Sequence, residues 1–251
     1  SIANFAVLGW LIALERTLYV LCLQIFVNIL NIILNLIFVL NLGWGIEGVA
    51  LASVISETVN AILALAIALT LYKKNGSPKI HKLFSIIEWK NLFFTNVNIL
   101  VRSILLEIVI ISYVFLGSTM GTVILATNHI LLQFVHIASY ALDGFAFSAE
   151  ALVGSAYGQK SQSKIRIASI KSTFCASICA IAITLIFFFC GESLFYVMVR
   201  DEVIQKTANQ YLFWMAITPL TGFLSFMLDG IFIGATKTQY MRKAMVQAFV
   251  V

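Results

Sequence analysis

The sequence has little charge. Only 11% of its 251 residues are Asp, Glu, Lys or Arg, and 61% are hydrophobic; a water-soluble domain carries roughly 25% charged residues. It also lacks the patterns that soluble catalysts need. No nucleotide-binding motif and no catalytic-triad spacing occurs, so ATP hydrolysis is not expected and a soluble enzyme has nothing behind it. The four cysteines, Cys22, Cys175, Cys179 and Cys190, form no CxxC pair. Cys175 and Cys179 are one helical turn apart, but no nearby His or carboxylate completes a metal site. They read as small buried hydrophobes. There is no signal peptide and the first residue is Ser, which leads us to expect a piece of a longer chain.

What is present comes in long apolar runs. Seven are apparent, at about 2–14, 18–40, 46–72, 98–117, 124–153, 174–199 and 211–236, with an eighth expected to begin near Ala244. Most approach or exceed the roughly 20 residues that a helix needs to cross a bilayer core of about 30 Å. The first looks cut short. Backbone groups in hydrocarbon must find partners within their own segment, so the expected class is an all-α polytopic membrane protein.

Basic residues alternate between loops. Thirteen of the sixteen Lys and Arg lie at Arg16, in 73–97, in 154–173 and in 237–243, on alternate turns of the chain. The intervening loops hold only Arg200 and Lys206, beside Asp201 and Glu202. Positive charge on alternate loops places those four loops on the cytoplasmic side of a cell membrane. The net charge of +5 then faces anionic lipid, and no nucleic acid is needed to explain it. Within 73–97, "KKNGSPKI" is a linker broken by Gly76 and Pro78. "IHKLFSIIEWKNLFF" spaces Ile80, Phe84, Ile87 and Phe94 near a helical period, which predicts an amphipathic helix on the inner membrane surface.

The chain repeats itself. "GWLIALERTLY" at 9–19 and "GIFIGATKTQY" at 230–240 share Gly, Ile, Thr and Tyr at an offset of 221 residues. Both blocks end a span on the cytoplasmic side, six segments apart. A unit of six helices, repeated in parallel, is a common transporter plan. It predicts two lobes of six helices, of which this chain holds little more than one period. The expected division is the end of an N-terminal lobe at 1–72, a cytoplasmic linker at 73–97, and a C-terminal lobe at 98–251.

Ionisable groups inside spans are costly, about 2.5–3.5 kcal/mol at least on the lenient insertion scale, and by default functional. Those singled out are Glu57, Arg102, Glu107, Asp143, Glu150 and Asp229. Arg102 lies near the cytoplasmic end and is expected to snorkel to the interface, with Glu150 similarly placed. Glu57 has Ser53, Ser56 and Asn60 near it, and both a structural and a functional role stay open. Glu107 is near mid-span. Asp143 and Asp229 each sit in an "LDG" triplet whose glycine, Gly144 or Gly230, leaves room for a close neighbour.

His129, Gln133, His136, Tyr140, Asp143 and Glu150 follow steps of 4, 3, 4, 3 and 7, one stripe of a helix. Such a stripe is either an interhelical hydrogen-bond seam or the lining of a polar cavity, and six polar residues favour the cavity. Asn28, Asn31 and Asn35 share a second face, able to seam helices or to present oxygens to a cation.

Four blocks carry a family resemblance: "NIILNLIFVLNLGWGIEGVALASVISE" (31–57), "VRSILLE" (101–107), "YALDGFAFSAEALVGSAYG" (140–158) and "LDGIFIGATKTQYMRKAM" (228–245). The sequence resembles the multidrug and toxic compound extrusion (MATE) family in its DNA-damage-inducible F branch. The resemblance implies twelve helices in two six-helix lobes, of which this chain covers about the fourth to the tenth. It implies a monomeric antiporter that exports organic, often cationic, compounds in exchange for H⁺ or Na⁺, with no bound cofactor and no metal beyond that ion. Glu107 and Asp229 match acidic positions of the family's C-lobe, and Asn31 and Ser53 match polar positions of an N-lobe cation site. Asn35 stands where that motif commonly has Asp, which departs from N-lobe proton coupling at this position. Leu8 is the repeat equivalent of Asp229, so the lobes differ here. Tyr140, Phe145, Phe147 and Phe232 supply aromatic faces for a cation. The runner-up is a lipid-linked precursor flippase of the same architecture, disfavoured because Arg102 is the only basic residue within the spans. A seven-helix receptor conflicts with the repeat.

Overall fold

The computed structural model describes residues 2–75 and 86–250, and the described chain is helical almost throughout. It divides into two compact units, residues 1–85 and 86–251.

The first unit holds α1 (Ile2–Ala13), α2 (Thr17–Asn35) and α3 (Gly45–Asn75). α1 has twelve residues and is shorter than a span. α2 continues into a π-helical turn, Leu36–Asn41, and the two together are long and apolar enough to cross a membrane, as is α3. The tight connection to α3 uses Gly43 and Gly45, both in the left-handed region at φ 67° and 54°, which costs glycine little and other residues more. Phe38 and Trp44 stack across it at 5.3 Å. Leu8, Leu11, Leu23 and Ala64 bury the centre of the three-helix packing. Leu8, the repeat partner of Asp229, is therefore a core residue.

The second unit holds α4 (Ile86–Thr119), α5 (Thr122–Gly158), α6 (Gln162–Met198), α7 (Glu202–Gln210), α8 (Leu212–Gly234) and α9 (Thr238–Val250). Four of these, α4, α5, α6 and α8, are long and apolar enough to span. α5, α6 and α8 pack most closely against one another. Phe134 sits at their centre, edge-on to Phe187 at 5.2 Å and Phe195 at 5.0 Å, with Ala138, Met215 and Ala216 filling around it. Without water to expel, helices in lipid gain by close van der Waals fit, which favours small residues at crossings. α5 and α8 cross at such a place. A Cβ on Gly230 would collide with the Ala146 carbonyl, and one on Gly234 would stand 2.5 Å from the Glu150 carbonyl oxygen.

Several expectations need revision. The expected surface helix in 80–94 falls partly on 76–85, outside the described residues; from Ile86 onward it is the first turns of α4 itself. An apolar period on a helix marks one face, and the same face serves a surface helix or the start of a span. The last helix begins at Thr238, six residues before Ala244. α7 was missed because its composition is too polar for a hydropathy reading. Its signal was local: Asp201 caps it by accepting from the backbone N–H of Val203 (2.8 Å) and Ile204 (3.3 Å). Cys22, Cys175 and Cys190 are exposed rather than buried. Lipid solvates a thiol much as a protein core does, so an apolar run does not distinguish the two.

The repeat has a backbone signature. α1 ends with Glu15 at φ 57° and α8 with Thr236 at φ 55°. Arg16 N–H donates to the Leu11 carbonyl at 2.9 Å, and Lys237 N–H to the Phe232 carbonyl at 2.8 Å. Glu15 N–H reaches Ile12, and Thr236 N–H reaches Ile233, both at 2.9 Å. Each residue of one set lies 221 positions from its counterpart, and the helices that follow begin at Thr17 and Thr238. The same turn recurs after α5, with Lys160 at φ 54°.

Candidate functional site

In the first unit, the face that carries Asn28, Asn31 and Asn35 on α2 meets the Ser53–Asn60 stretch of α3. Asn31 Nδ2 donates to Ser53 Oγ (3.3 Å) and Ser56 Oγ (3.1 Å), and Asn35 Nδ2 donates to Asn31 Oδ1 (2.9 Å). The three positions singled out in this unit, Asn31, Asn35 and Ser53, thus join one network with Asn31 at its hub. Beside it lies a cavity of about 270 Å³, lined by Asn4, Gln24, Asn28, Asn31, Glu57 and Asn60 among others. Asn4 donates to the Glu57 carbonyl at 3.2 Å. The amide oxygens of Asn4, Asn35 and Asn60 are buried without a hydrogen-bond partner among the described residues. Such neutral oxygens suit water or a hard cation.

Sequence reading missed Gln24 and Asn4. Gln24 stands four residues before Asn28 and extends the same stripe. Asn4 sits alone in an apolar helix, and no spacing within that helix points to it.

In the second unit, three helices bring charge together. Arg102 of α4 forms an ion pair with Asp229 of α8. Asp143 of α5 stands one turn before Ala146, the residue against which Gly230, next to Asp229, packs. Both "LDG" acids therefore lie within a turn of the α5–α8 crossing. α4 packs on α5 and α9, and its reach to α8 is the Arg102 side chain. One turn earlier on α4, buried Asn98 donates to Thr238 Oγ1 of α9 at 3.2 Å and anchors the helix. Arg102, expected to reach toward the interface, has a partner within the unit, because α8 brings a carboxylate within its reach.

The two glycines are unlike. Gly230 is buried at the α5–α8 crossing, while a Cβ on Gly144 would meet nothing within 4 Å. Gly144 does not mediate a close helix approach. Glu107 lies five residues beyond Arg102, turned about 140° round the helix axis. It is exposed, and the cluster forms without it.

The stripe on α5 faces away from the unit's core. Phe134, Ala138 and Leu142 bury one side of the helix. His129, Gln133 and Tyr140 are exposed on the other, with His136, Asp143 and Glu150 half-buried. Among the described residues it is not a seam within this unit. His136 stacks on Tyr140 at 6.4 Å. Phe147 is exposed, but Phe145 packs into the core with Met227 and Phe223, and Phe232 stacks on Tyr240. Only Tyr140 and Phe147 of the four aromatic candidates present an open ring beside Asp143. No group of three or more His, Cys, Asp or Glu among the described residues is arranged to hold a metal ion.

Comparison with known proteins gives the same direction. The MatE family model matches residues 99–251. The chain is 32% identical over 249 residues to DNA damage-inducible protein F of Escherichia coli (strain K12), covering 99% of this chain and 54% of that protein. It is 24% identical over 225 residues to Protein DETOXIFICATION 44, chloroplastic, of Arabidopsis thaliana, covering 87% of this chain and 41% of that protein. A crystal structure of MATE in the straight conformation superposes with a TM-score of 0.86 at 17% identity, over 98% of this chain and 56% of that one. The chain spans about half the length of the curated relatives it matches.

Proposed function

We infer that this chain, which belongs to the MATE family, works in a multi-pass membrane antiporter that exports organic cations in exchange for H⁺ or Na⁺. The observation that carries this reading is the pairing of Arg102 with Asp229, near Asp143 at the α5–α8 crossing, within helices long and apolar enough to span a membrane. Keeping three ionisable groups within membrane-spanning helices is costly unless they are used.

In the mechanism proposed, two lobes alternate access to a central cavity. An organic cation and the coupling ion compete for the carboxylates of Asp143 and Asp229. The amide and hydroxyl oxygens of Asn31, Asn35 and Ser53 supply neutral acceptors in the other unit. His129, Gln133, His136 and Tyr140 line the path on α5. No covalent step is involved. Glu107 lies apart from the cluster and is assigned at most an accessory place in that path.

A flippase for a lipid pyrophosphate needs a positive cavity. Two carboxylates around one guanidinium oppose that. The test is dye uptake into inverted vesicles carrying the protein as the cell makes it. Asp229→Asn should abolish ethidium transport driven by a proton or sodium gradient. Unchanged transport rejects the assignment.

A further inference from the structure

We propose that Arg102 is a tethered resident cation that sets the charge of the acidic pair, so that the site beside Asp143 admits one positive charge from outside and selects monovalent over divalent organic cations. This rests on the reading of the cluster as an organic-cation site.

The charge count comes first. A guanidinium stays protonated in any protein environment. Arg102, Asp143 and Asp229 together carry one net negative charge when both acids are ionised. The ion pair satisfies Asp229, with the two side chains 24% and 20% exposed. Asp143 stands one turn from Ala146, where Gly230 packs and brings Asp229 to α5, but the only ion pair Arg102 makes among the described residues is with Asp229. Asp143 is therefore the acid left to receive a visitor.

The surroundings of Asp143 fit a lipophilic cation. Tyr140 stands three residues before it and Phe147 four after, so the three share a helix face. Their exposures are 72% and 55%, and Gly144, next to Asp143, has open space where a Cβ would be. Two aromatic faces flanking a carboxylate attract a soft cation by charge and by the ring quadrupole. His136, stacked on Tyr140, holds one ring. The next carboxylate on this face is Glu150, about 10 Å along the axis, too far to share one small ligand with Asp143.

Arg102 then acts as a specificity residue. With it present, a single positive charge neutralises the cluster. With it replaced by a neutral residue, two negative charges remain and a dication gains more than a monocation.

The test measures equilibrium binding of tetraphenylphosphonium, a monovalent cation, and dequalinium, a divalent one, to the purified protein in nanodiscs. The wild type should prefer the monocation. Arg102→Gln should shift the ratio of affinities toward the dication by about tenfold, the scale of one unit charge at close range. Arg102→Lys should restore the wild-type ratio. Asp143→Asn, which leaves the ion pair intact, should weaken monocation binding about tenfold. A ratio unmoved by Arg102→Gln, a Lys variant that behaves as the Gln variant, or monocation binding unaffected by Asp143→Asn overturns the proposal. A wild-type protein that binds neither probe overturns the underlying reading of the cluster instead.

Discussion

Arg102 and Asp229 are joined as an ion pair between helices whose backbones do not pack on one another. The pair is a long side-chain bridge, and Asp143 stands within a turn of the α5–α8 crossing beside it. Removing one partner leaves a poorly solvated charge, which costs more than removing both. Arg102→Leu should therefore lower the melting temperature of the detergent-solubilised protein more than Arg102→Leu combined with Asp229→Leu does. Both side chains are partly exposed, so the single loss should be about 1–2 kcal/mol, below that of a fully buried pair. A double variant less stable than the single one contradicts a mutual pair.

The α5–α8 crossing makes a contrast between two identical triplets. Gly144→Ala should be nearly silent, because its Cβ enters open space. Gly230→Ala must push α8 off the Ala146 carbonyl, at about 1–3 kcal/mol, the usual cost of overpacking. Thermal unfolding of the two variants side by side checks it, and equal effects refute the crossing.

The amide network of the first unit has a hub. Asn31 makes three of its hydrogen bonds and Asn35 makes one. Hydrogen bonds between membrane helices average about 0.6 kcal/mol each. Asn31→Ala should then destabilise the protein about two- to threefold more than Asn35→Ala. Equal losses remove Asn31 from the centre.

Glu15 and Thr236 occupy the same left-handed turn in the two repeats. A left-handed conformation penalises any Cβ, and glycine avoids that at the end of a helix. Glu15→Gly and Thr236→Gly should each stabilise by about 0.5–1 kcal/mol. Chemical denaturation of each variant reads this, and opposite signs at the two sites break the equivalence of the turns.

The spans, their order and the repeat were legible because apolar length and local turn chemistry are properties of contiguous residues. The repeat was visible in four identities of eleven and reappears in matching hydrogen bonds at Arg16 and Lys237. Asp143 and Asp229 stood out because acids are rare in apolar runs. The role of Arg102 did not, since its partner lies 127 positions away on α8 and nothing in α4 encodes that. Glu107 drew attention by depth in the span, but depth gives no helical phase, and its phase turns it away from Arg102. Asn4 and α7 show the two remaining blind spots: a lone polar residue whose cavity comes from other helices, and a short polar helix in a chain otherwise read by hydropathy.

The proposed site seats an organic cation beside Asp143, near the Arg102–Asp229 pair. Tetraphenylarsonium carries an arsenic atom visible by anomalous scattering. A crystal structure of the protein with this ion should show an arsenic peak next to the Asp143 carboxylate, within about 6 Å of the Tyr140 or Phe147 ring. A bound arsenic located elsewhere, with none at Asp143, removes the cation site from Asp143.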